Sequence, residues 1–159
     1  MVAIEPAAND ALDRLVDLWV ELAAEQRTYR SHLFAEENRT EVQHMFARHI
    51  VADDVLVARK NAELVGFITF SVESGTYAQD VTRGIVSNVY VEPGHRDAGV
   101  GTELLESAEA ILRDRGVDAL ALEVMADNDA SRRFYRRHGY RPHRIELEKR
   151  AENDTLTKE

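Results

Sequence analysis

The sequence contains no cysteine and no long apolar run, and each absence excludes a class of protein. Without cysteine there is no disulfide, no thiolate-bound zinc and no cysteine nucleophile. No apolar stretch approaches the ~20 residues that a membrane-spanning helix needs. The N-terminal residues MVAIEPAAND lack the basic and apolar regions of a secretory leader. We therefore expect a cytoplasmic protein with no membrane partner.

The composition is that of one globular domain. The chain has 159 residues, of which 44% are hydrophobic and 31% charged, and this length suits a single core. We expect one domain over residues 1–148 and a polar, frayed tail over residues 149–159. The formal net charge of -9 argues against a nucleic-acid partner, because such binders neutralise phosphates with positive charge.

Hydrophobic periodicity predicts a mixed α/β fold with the order β-α-α-β-β-β-α-β-α-β. This order implies a mixed sheet with helices on both faces. The expected strands span residues 2–4, 55–58, 64–72, 81–91, 119–125 and 145–147, and the expected helices begin at Asn9 or Asp10, at Thr40, near Val100, and at Asn128 or Asp129.

Residues 89–101, with the sequence VYVEPGHRDAGVG, predict a strand, a glycine-rich turn and an immediate helix. Glycines at Gly99 and Gly101 allow a tight bend and the close approach of a ligand. The first N–H groups of a helix have no intrahelical partner and lie at the positive end of its dipole. Together these features predict a site for phosphate or pyrophosphate.

Two classes of ligand fit such a loop. Gly99, Gly101 and the later Glu123 match a dinucleotide fold superficially, since an acidic residue ~20 positions on binds the ribose there. The third glycine position is Leu104, however, where close contact between helix and strand needs a small residue. The loop also lies late in the chain, so a dinucleotide-dependent enzyme ranks second.

Two motifs resemble those of the GNAT superfamily of acyl-CoA-dependent N-acyltransferases. Residues 96–101, RDAGVG, resemble its Gln/Arg-x-x-Gly-x-Gly/Ala motif. Residues 128–140, NDASRRFYRRHGY, resemble its Asn-x-x-Ala-x-x-x-Tyr-x-x-x-Gly-Phe landmark, with Ser131 for Ala and Tyr140 for Phe. The run Leu122-Glu123-Val124 with Asn128 is similar to the subset that acetylates protein N-termini, including ribosomal-protein acetyltransferases.

The resemblance implies a mostly antiparallel central sheet, acetyl-CoA as co-substrate, and a small-molecule amine or a protein N-terminus as acceptor. It also allows a homodimer. In similar proteins the main chain of the strand before the loop pairs with the pantetheine arm, which requires an open strand edge. The residues expected to bind the co-substrate are Val89, Tyr90, Val91, Arg96, Asp97, Ala98, Gly99, Val100, Gly101, Thr102, Asn128, Ser131 and Tyr135.

Amine attack on a thioester needs an acid for the departing thiolate and a base for the amine. Tyr135 is the expected acid: Phe134 suits the core, which leaves its neighbour for the cleft. Glu123 is the expected base, with Glu73, Asp80 or a water held by Asn88 as substitutes. No Gly-x-Ser-x-Gly elbow is present. We therefore expect direct transfer in a ternary complex.

The charge is divided along the chain. Residues 128–144 contain six arginines and one acidic residue, which gives this window +5 and leaves -14 for the rest. Such a window suits an anionic coenzyme, although the arginines could instead pair with acids elsewhere or, less readily, contact RNA. The six histidines show no metal-ligand spacing, so no metal is expected. A non-catalytic acyl-CoA-binding sensor of the same fold is the main alternative function.

Overall fold

A computed structural model describes residues 2–152 of the chain, which form five strands and four helices. The strands are β1 (Ala3–Pro6), β2 (Val55–Lys60), β3 (Glu63–Val72), β4 (Arg83–Val91) and β5 (Ala119–Leu122). The helices are α1 (Leu12–Arg27), α2 (Arg39–Val51), α3 (Val100–Asp114) and α4 (Asp129–Arg137). Within the described residues, no helix is both long and apolar enough to cross a bilayer.

The strands form one mixed sheet in the order β1-β2-β3-β4-β5. The first four pair antiparallel, and only β4 and β5 run parallel, from the pair Arg83–Ala119 to the pair Val86–Leu122. A dinucleotide-binding fold requires a mainly parallel sheet. That alternative is therefore wrong, whereas the expected mixed α/β class is confirmed.

Each face of the sheet carries its own apolar core, as expected for helices on both sides. One core joins α1 and α2 to residues such as Val57 and Phe67. The other joins α3 to residues such as Ile68 and Val86, with α4 packed against its margin. Successive side chains of a strand point to opposite faces. A strand that is covered on both faces is therefore apolar at consecutive positions. Strand β2 is an example, since its residues 55–58 are all buried.

Several strands and helices begin or end at the turn and cap residues that the sequence predicts. The β2–β3 turn has positive φ at Asn61 and Ala62, as a tight hairpin turn requires. Helix α3 is followed by Gly116 at φ 89°, and Asn128 caps α4 by accepting a hydrogen bond from the Ser131 N–H.

Two expected helix caps are wrong. Asn9 and Asp10 lie within a 3₁₀ turn, so Ala11 takes the capping position of α1 without a side-chain bond. Helix α2 begins at Arg39, and Thr40 therefore lies inside it. A residue with helical backbone cannot use its side chain in the same way as a cap residue outside the helix.

The expected last strand at residues 145–147 is also wrong, since residues 141–150 contain no strand. Ile145 and Leu147 are 76% and 88% exposed, so this segment lacks the covering layer that makes an apolar alternation favourable in a strand. Strand β5 ends at Leu122, three residues earlier than expected. Of the expected tail, residues 149–152 form neither helix nor strand, and residues 153–159 lie outside the described residues.

Candidate active site

The second half of β4 has one unpaired edge. The Glu92 N–H donates to the Val65 carbonyl at 2.8 Å, and hydrogen-bonding direction alternates along an antiparallel strand. Tyr90 therefore directs its main chain towards β3, whereas Val89 and Val91 direct theirs to the other side. On that side β5 pairs with β4 only as far as Val86. Within residues 2–152, no strand pairs with the edge beside Val89 and Val91, although the Val91 carbonyl accepts from Nε of Arg96 at 2.7 Å. Tyr90 does not share this edge.

A β-bulge accompanies this opening. The register between β3 and β4 shifts after the pair Thr69–Asn88 to the pair Phe70–Val86, which leaves Ser87 as an extra residue. Such a bulge bends a strand and increases its twist. It lies where β4 loses contact with β5. The bulge thus gives a local reason for the divergence of two strands that the sequence itself did not show.

The turn after β4 presents a run of free backbone N–H groups. A 3₁₀ turn over Pro93–His95 leads to Asp97 and Gly99, which have φ of 63° and 83°. Within residues 2–152, none of the six N–H groups from Asp97 to Thr102 donates a hydrogen bond to another backbone or side chain. The Arg96 N–H bonds to the Pro93 carbonyl at 3.4 Å, so the free run begins one residue later than expected. We call residues 97–102 the amide run.

Helix α4 packs directly on the amide run. A Cβ placed at Gly101 would lie 3.4 Å from Cζ of Phe134 and 4.0 Å from Cγ2 of Val91. The glycine therefore lets α3, α4 and β4 converge. Asn128 is 4% exposed, and its carbonyl oxygen accepts from the Ser131 N–H at 3.1 Å. The structure thus uses these two expected binding residues to begin α4, which holds the second motif against the first.

Tyr135 lies among aromatic rings beside this junction. Its ring centroid is 5.2 Å from that of Phe134 and 6.0 Å from that of Tyr140. Phe134 and Tyr135 both pack on the α3-side core, so the expected division into a core side chain and a cleft side chain is not seen. Burial raises the pKa of Tyr135 to about 12. The hydroxyl therefore keeps its proton at neutral pH.

The hydroxyl of Tyr140, by contrast, already has a hydrogen-bond partner within the fold. Its hydroxyl donates to Oε2 of Glu109 at 2.6 Å, and burial with this carboxylate raises the pKa of Tyr140. Glu109 is 8% exposed on α3. Sequence reasoning missed this pair, although Glu109 lies within the helical spacing of the buried positions Leu105, Ala108 and Leu112.

The side chains of Tyr90 and Arg96 point towards α1. The Tyr90 hydroxyl donates to Oε1 of Glu21 at 3.1 Å, and burial raises the pKa of Tyr90 to about 12. Arg96 donates to Glu25 on α1 and to the carbonyl of Val91. Both residues were expected to bind the co-substrate, and both have their side chains committed within the fold.

The candidate bases differ in availability. Glu123 is exposed and directly follows β5. Glu73 accepts two hydrogen bonds from Arg83 and one from Gln79. The hydrogen bonds from Arg83 and then Gln79 lower the pKa of Glu73 to about 2, which makes it a weak base. Asn88 donates its amide to the Thr69 hydroxyl at 2.9 Å.

The arginines of the basic window, residues 128–144, differ in their pairing from most other arginines of the chain. Within residues 2–152, none of the window's arginines forms an ion pair, whereas eight other arginines do. The alternative in which these arginines pair with acids elsewhere is therefore wrong for the described part of the chain. Four of them occupy one side of α4, the helix that packs on the amide run. The unpaired arginines are Arg132, Arg133, Arg136, Arg137, Arg141 and Arg144.

The loop between α1 and α2 contacts both the segment that follows β5 and the segment that follows α4. Arg30 donates to Oδ2 of Asp127 at 2.6 Å, and His32 lies 2.9 Å from Oε1 of Glu148. Phe34, in the same loop, is 55% exposed beneath the guanidinium of Arg27. Across residues 2–152, no three His, Asp or Glu side chains cluster as a metal site would require.

An amide run at a helix start, beside an open strand edge and a basic helix, is an arrangement that suits a phosphorylated ligand with an extended arm. The chain belongs to the Acetyltransferase (GNAT) family, whose family model matches residues 14–140. The resemblance drawn from the two motifs is thereby confirmed.

Curated relatives agree with this family. An uncharacterized N-acetyltransferase of Archaeoglobus fulgidus is 28% identical over 135 residues, covering 83% of this chain and 88% of that protein. N-alpha-acetyltransferase 30 of Schizosaccharomyces pombe is 28% identical over 86 residues. That match covers 53% of this chain and 55% of the yeast protein, so the chain spans about half the length of this relative.

Solved structures agree in fold. A GCN5-related N-acetyltransferase from Ralstonia eutropha superposes with a TM-score of 0.77 at 21% identity, covering 96% of this chain and 100% of that one. A predicted acetyltransferase from Clostridium acetobutylicum, crystallised with acetyl-CoA, has a TM-score of 0.73 at 18% identity. It covers 94% of this chain and 96% of its own.

Proposed function

We propose that this chain transfers an acetyl group from acetyl-CoA to a primary amine by direct attack in a ternary complex. The observation that carries the proposal is the run of six free N–H groups from Asp97 to Thr102 beside the open edge at Val89 and Val91. A pyrophosphate requires several N–H donors. An arm containing amide groups requires an unpaired strand edge.

Binding follows from these two features. The amide run holds the pyrophosphate. The main chain of Val89 and the N–H of Val91 pair with the pantetheine arm, since the Val91 carbonyl already accepts from Arg96. A Cβ at Gly99 would meet nothing within 4 Å, so this part of the turn is uncrowded. The unpaired arginines of α4 supply positive potential next to the amide run, which speeds capture of an anion.

The chemistry needs two proton-handling groups from the chain. Bound acetyl-CoA supplies a thioester carbonyl that an amine attacks directly. Tyr135, with its pKa raised to about 12, holds a proton that it can share with the departing sulfur. Glu123, exposed at the end of β5, accepts the proton that the amine loses. The absence of cysteine agrees with transfer that involves no thiol acyl-enzyme.

The acceptor is a small-molecule amine or a protein N-terminus. The carboxylate of Glu123 is exposed at the end of β5, and negative charge favours a cationic amine. One relative carries the name N-alpha-acetyltransferase 30 and another that of streptothricin acetyltransferase, which supports both acceptor classes. The homodimer and the cytoplasmic location stay predictions.

Two measurements test the proposal. Calorimetric titration should give 1:1 binding of acetyl-CoA and no binding of NAD. Thiol release should then be followed over a panel of small amines and of peptides that differ in their N-terminal residue. Turnover with at least one acceptor supports the proposal. Binding without any turnover favours the acyl-CoA sensor, and no heat with acetyl-CoA contradicts both.

A further inference from the structure

Arg96 joins three structural elements immediately before the amide run. Its Nε donates to the Val91 carbonyl at 2.7 Å, and its Nη2 donates to Oε2 of Glu25 at 2.8 Å. Its guanidinium also lies 5.4 Å from the centre of the Tyr90 ring. Val91 ends β4 and Glu25 lies on α1. One side chain therefore closes the turn of residues 92–96 and ties it to a packed helix.

The same side of α1 holds the end of β4 at two further points. Arg14 donates to Oε2 of Glu92 at 2.6 Å, and Glu21 accepts from the Tyr90 hydroxyl at 3.1 Å. Positions 14, 21 and 25 share one side of the helix, since steps of seven and four residues are close to whole turns. The helix is anchored by buried Leu15, Leu18 and Leu22, so it is a firm support.

The amide run needs such support. Asp97 and Gly99 have φ of 63° and 83°, and the left-handed conformation at a non-glycine residue such as Asp97 costs free energy that its surroundings must offset. Nε and Nη2 of Arg96 are meanwhile directed at the Val91 carbonyl and at Glu25 and not left for a phosphate. We propose that Arg96 is a positioning residue. The clamp formed by Glu25, Arg96 and the Val91 carbonyl holds the amide run in its anion-binding shape, and the guanidinium itself binds no phosphate.

This inference rests on the proposed function, in which the amide run binds the pyrophosphate of acetyl-CoA. The deciding variant is Glu25→Gln, because two roles of Arg96 predict opposite signs. If Arg96 positions the run, Glu25→Gln weakens acetyl-CoA binding about fivefold, the size expected for one partly exposed ion pair. If Arg96 is a phosphate ligand, loss of the Glu25 charge leaves binding equal or tighter, which overturns the clamp.

Two further variants separate shape from charge. Arg96→Lys keeps the charge but not the planar fork that reaches two acceptors, so it should weaken acetyl-CoA binding as much as Arg96→Gln. The double variant Glu25→Gln/Arg96→Gln should bind within about twofold of Arg96→Gln, because partners in one interaction are not additive. Retained affinity in the lysine variant, or additive losses in the double variant, overturns the clamp.

Asp17→Asn is the matched control. Asp17 lies on α1 as Glu25 does, and the variant removes its 2.7 Å ion pair with Arg39 of α2, at comparable exposure. It should change the thermal midpoint as Glu25→Gln does and leave acetyl-CoA affinity unchanged. In steady state, Glu25→Gln should raise KM for acetyl-CoA about fivefold and keep kcat within about twofold. A wild-type protein that binds no acetyl-CoA overturns the proposed function itself, whereas wild-type binding with an unweakened Glu25→Gln overturns only the clamp.

Discussion

Removal of the Tyr135 hydroxyl tests the proposed acid. The pKa of Tyr135 is raised to about 12 by burial, whereas a free thiol has a pKa of about 8.5. Complete transfer of the proton to a thiolate is therefore uphill by about 3.5 pKa units, or about 5 kcal/mol. The hydroxyl then acts mainly by donating a hydrogen bond to the sulfur as charge develops. We expect an effect near the lower end of acid catalysis, which is about 100-fold.

The variant is Tyr135→Phe, and the assay is thiol release with saturating amine. We expect kcat to fall about 100-fold, with KM for acetyl-CoA changed by less than about threefold, since the interaction strengthens only in the transition state. Because the pKa of Tyr135 is raised, its proton is retained up to about pH 12. On the alkaline side, the pH–rate profiles of the wild type and of Tyr135→Phe should therefore have the same shape up to about pH 11.

Tyr140→Phe is the control, because Tyr140 lies in the same aromatic group and donates to buried Glu109. Loss of that bond should lower the free energy of unfolding by about 1–3 kcal/mol and leave kcat within about threefold. An unchanged kcat in Tyr135→Phe, or equal losses of kcat in both variants, would refute the role given to Tyr135.

Three further predictions concern the turn, the base and acid stability. Gly99→Val should weaken acetyl-CoA binding more than tenfold and cost about 1–2 kcal/mol of stability, because φ is 83° at this position. Gly75→Val is the control, since Gly75 has an ordinary φ and open space around it. Equal acetyl-CoA affinity in the two variants would show that binding does not need the left-handed conformation of Gly99. Glu123→Gln should lower kcat about 100-fold; an unchanged kcat excludes Glu123 as the base. Since hydrogen bonds from Arg83 lower the pKa of Glu73 to about 2, its contribution to stability is present above the unfolded pKa and is lost as pH falls towards 2. Glu73→Gln should therefore flatten the acid decline of the thermal midpoint between about pH 4.5 and 2, and an unaltered slope contradicts this.

Features that depend on neighbours in sequence were predictable. Helix α3 was predictable from the 3.6-residue spacing of its apolar residues and from Gly116 after its end. The structure gives its bounds as Val100–Asp114. Asn128 caps α4 because its side chain needs to reach only three residues ahead. The amide run could be expected for the same reason, since helix starts always leave N–H groups without helical partners.

Features that depend on distant partners were not predictable. Arg96 meets Glu25 across 71 residues, and nothing in the motif around Arg96 indicates a contact with the first helix. The β-bulge at Ser87 depends on pairing with β3, so the open edge of β4 had no local signature. Residues 145–147 alternate as a strand would, yet a strand also needs a partner and a covering layer, which periodicity does not report.

The basic window was predictable from the sequence in its position but not in its pairing. The net charge of -9 argued only against a nucleic-acid partner, whereas the count along the chain indicated a basic window at residues 128–144. Only the structure could show that its arginines are free of ion pairs within residues 2–152. The sequence thus predicts where the arginines lie along the chain. The side-chain contacts show that these arginines are available to an anionic ligand.

The central claim is that the amide run of residues 97–102 holds the pyrophosphate of acetyl-CoA. It is tested most directly by titrating ¹⁵N-labelled protein with CoA and following each backbone N–H by NMR, at a mass of 18.0 kDa that suits the method. The account predicts the largest, downfield proton shifts at consecutive amides from Asp97 to Thr102, as each N–H gains a charged acceptor. Saturable binding that leaves these six signals unmoved would contradict it.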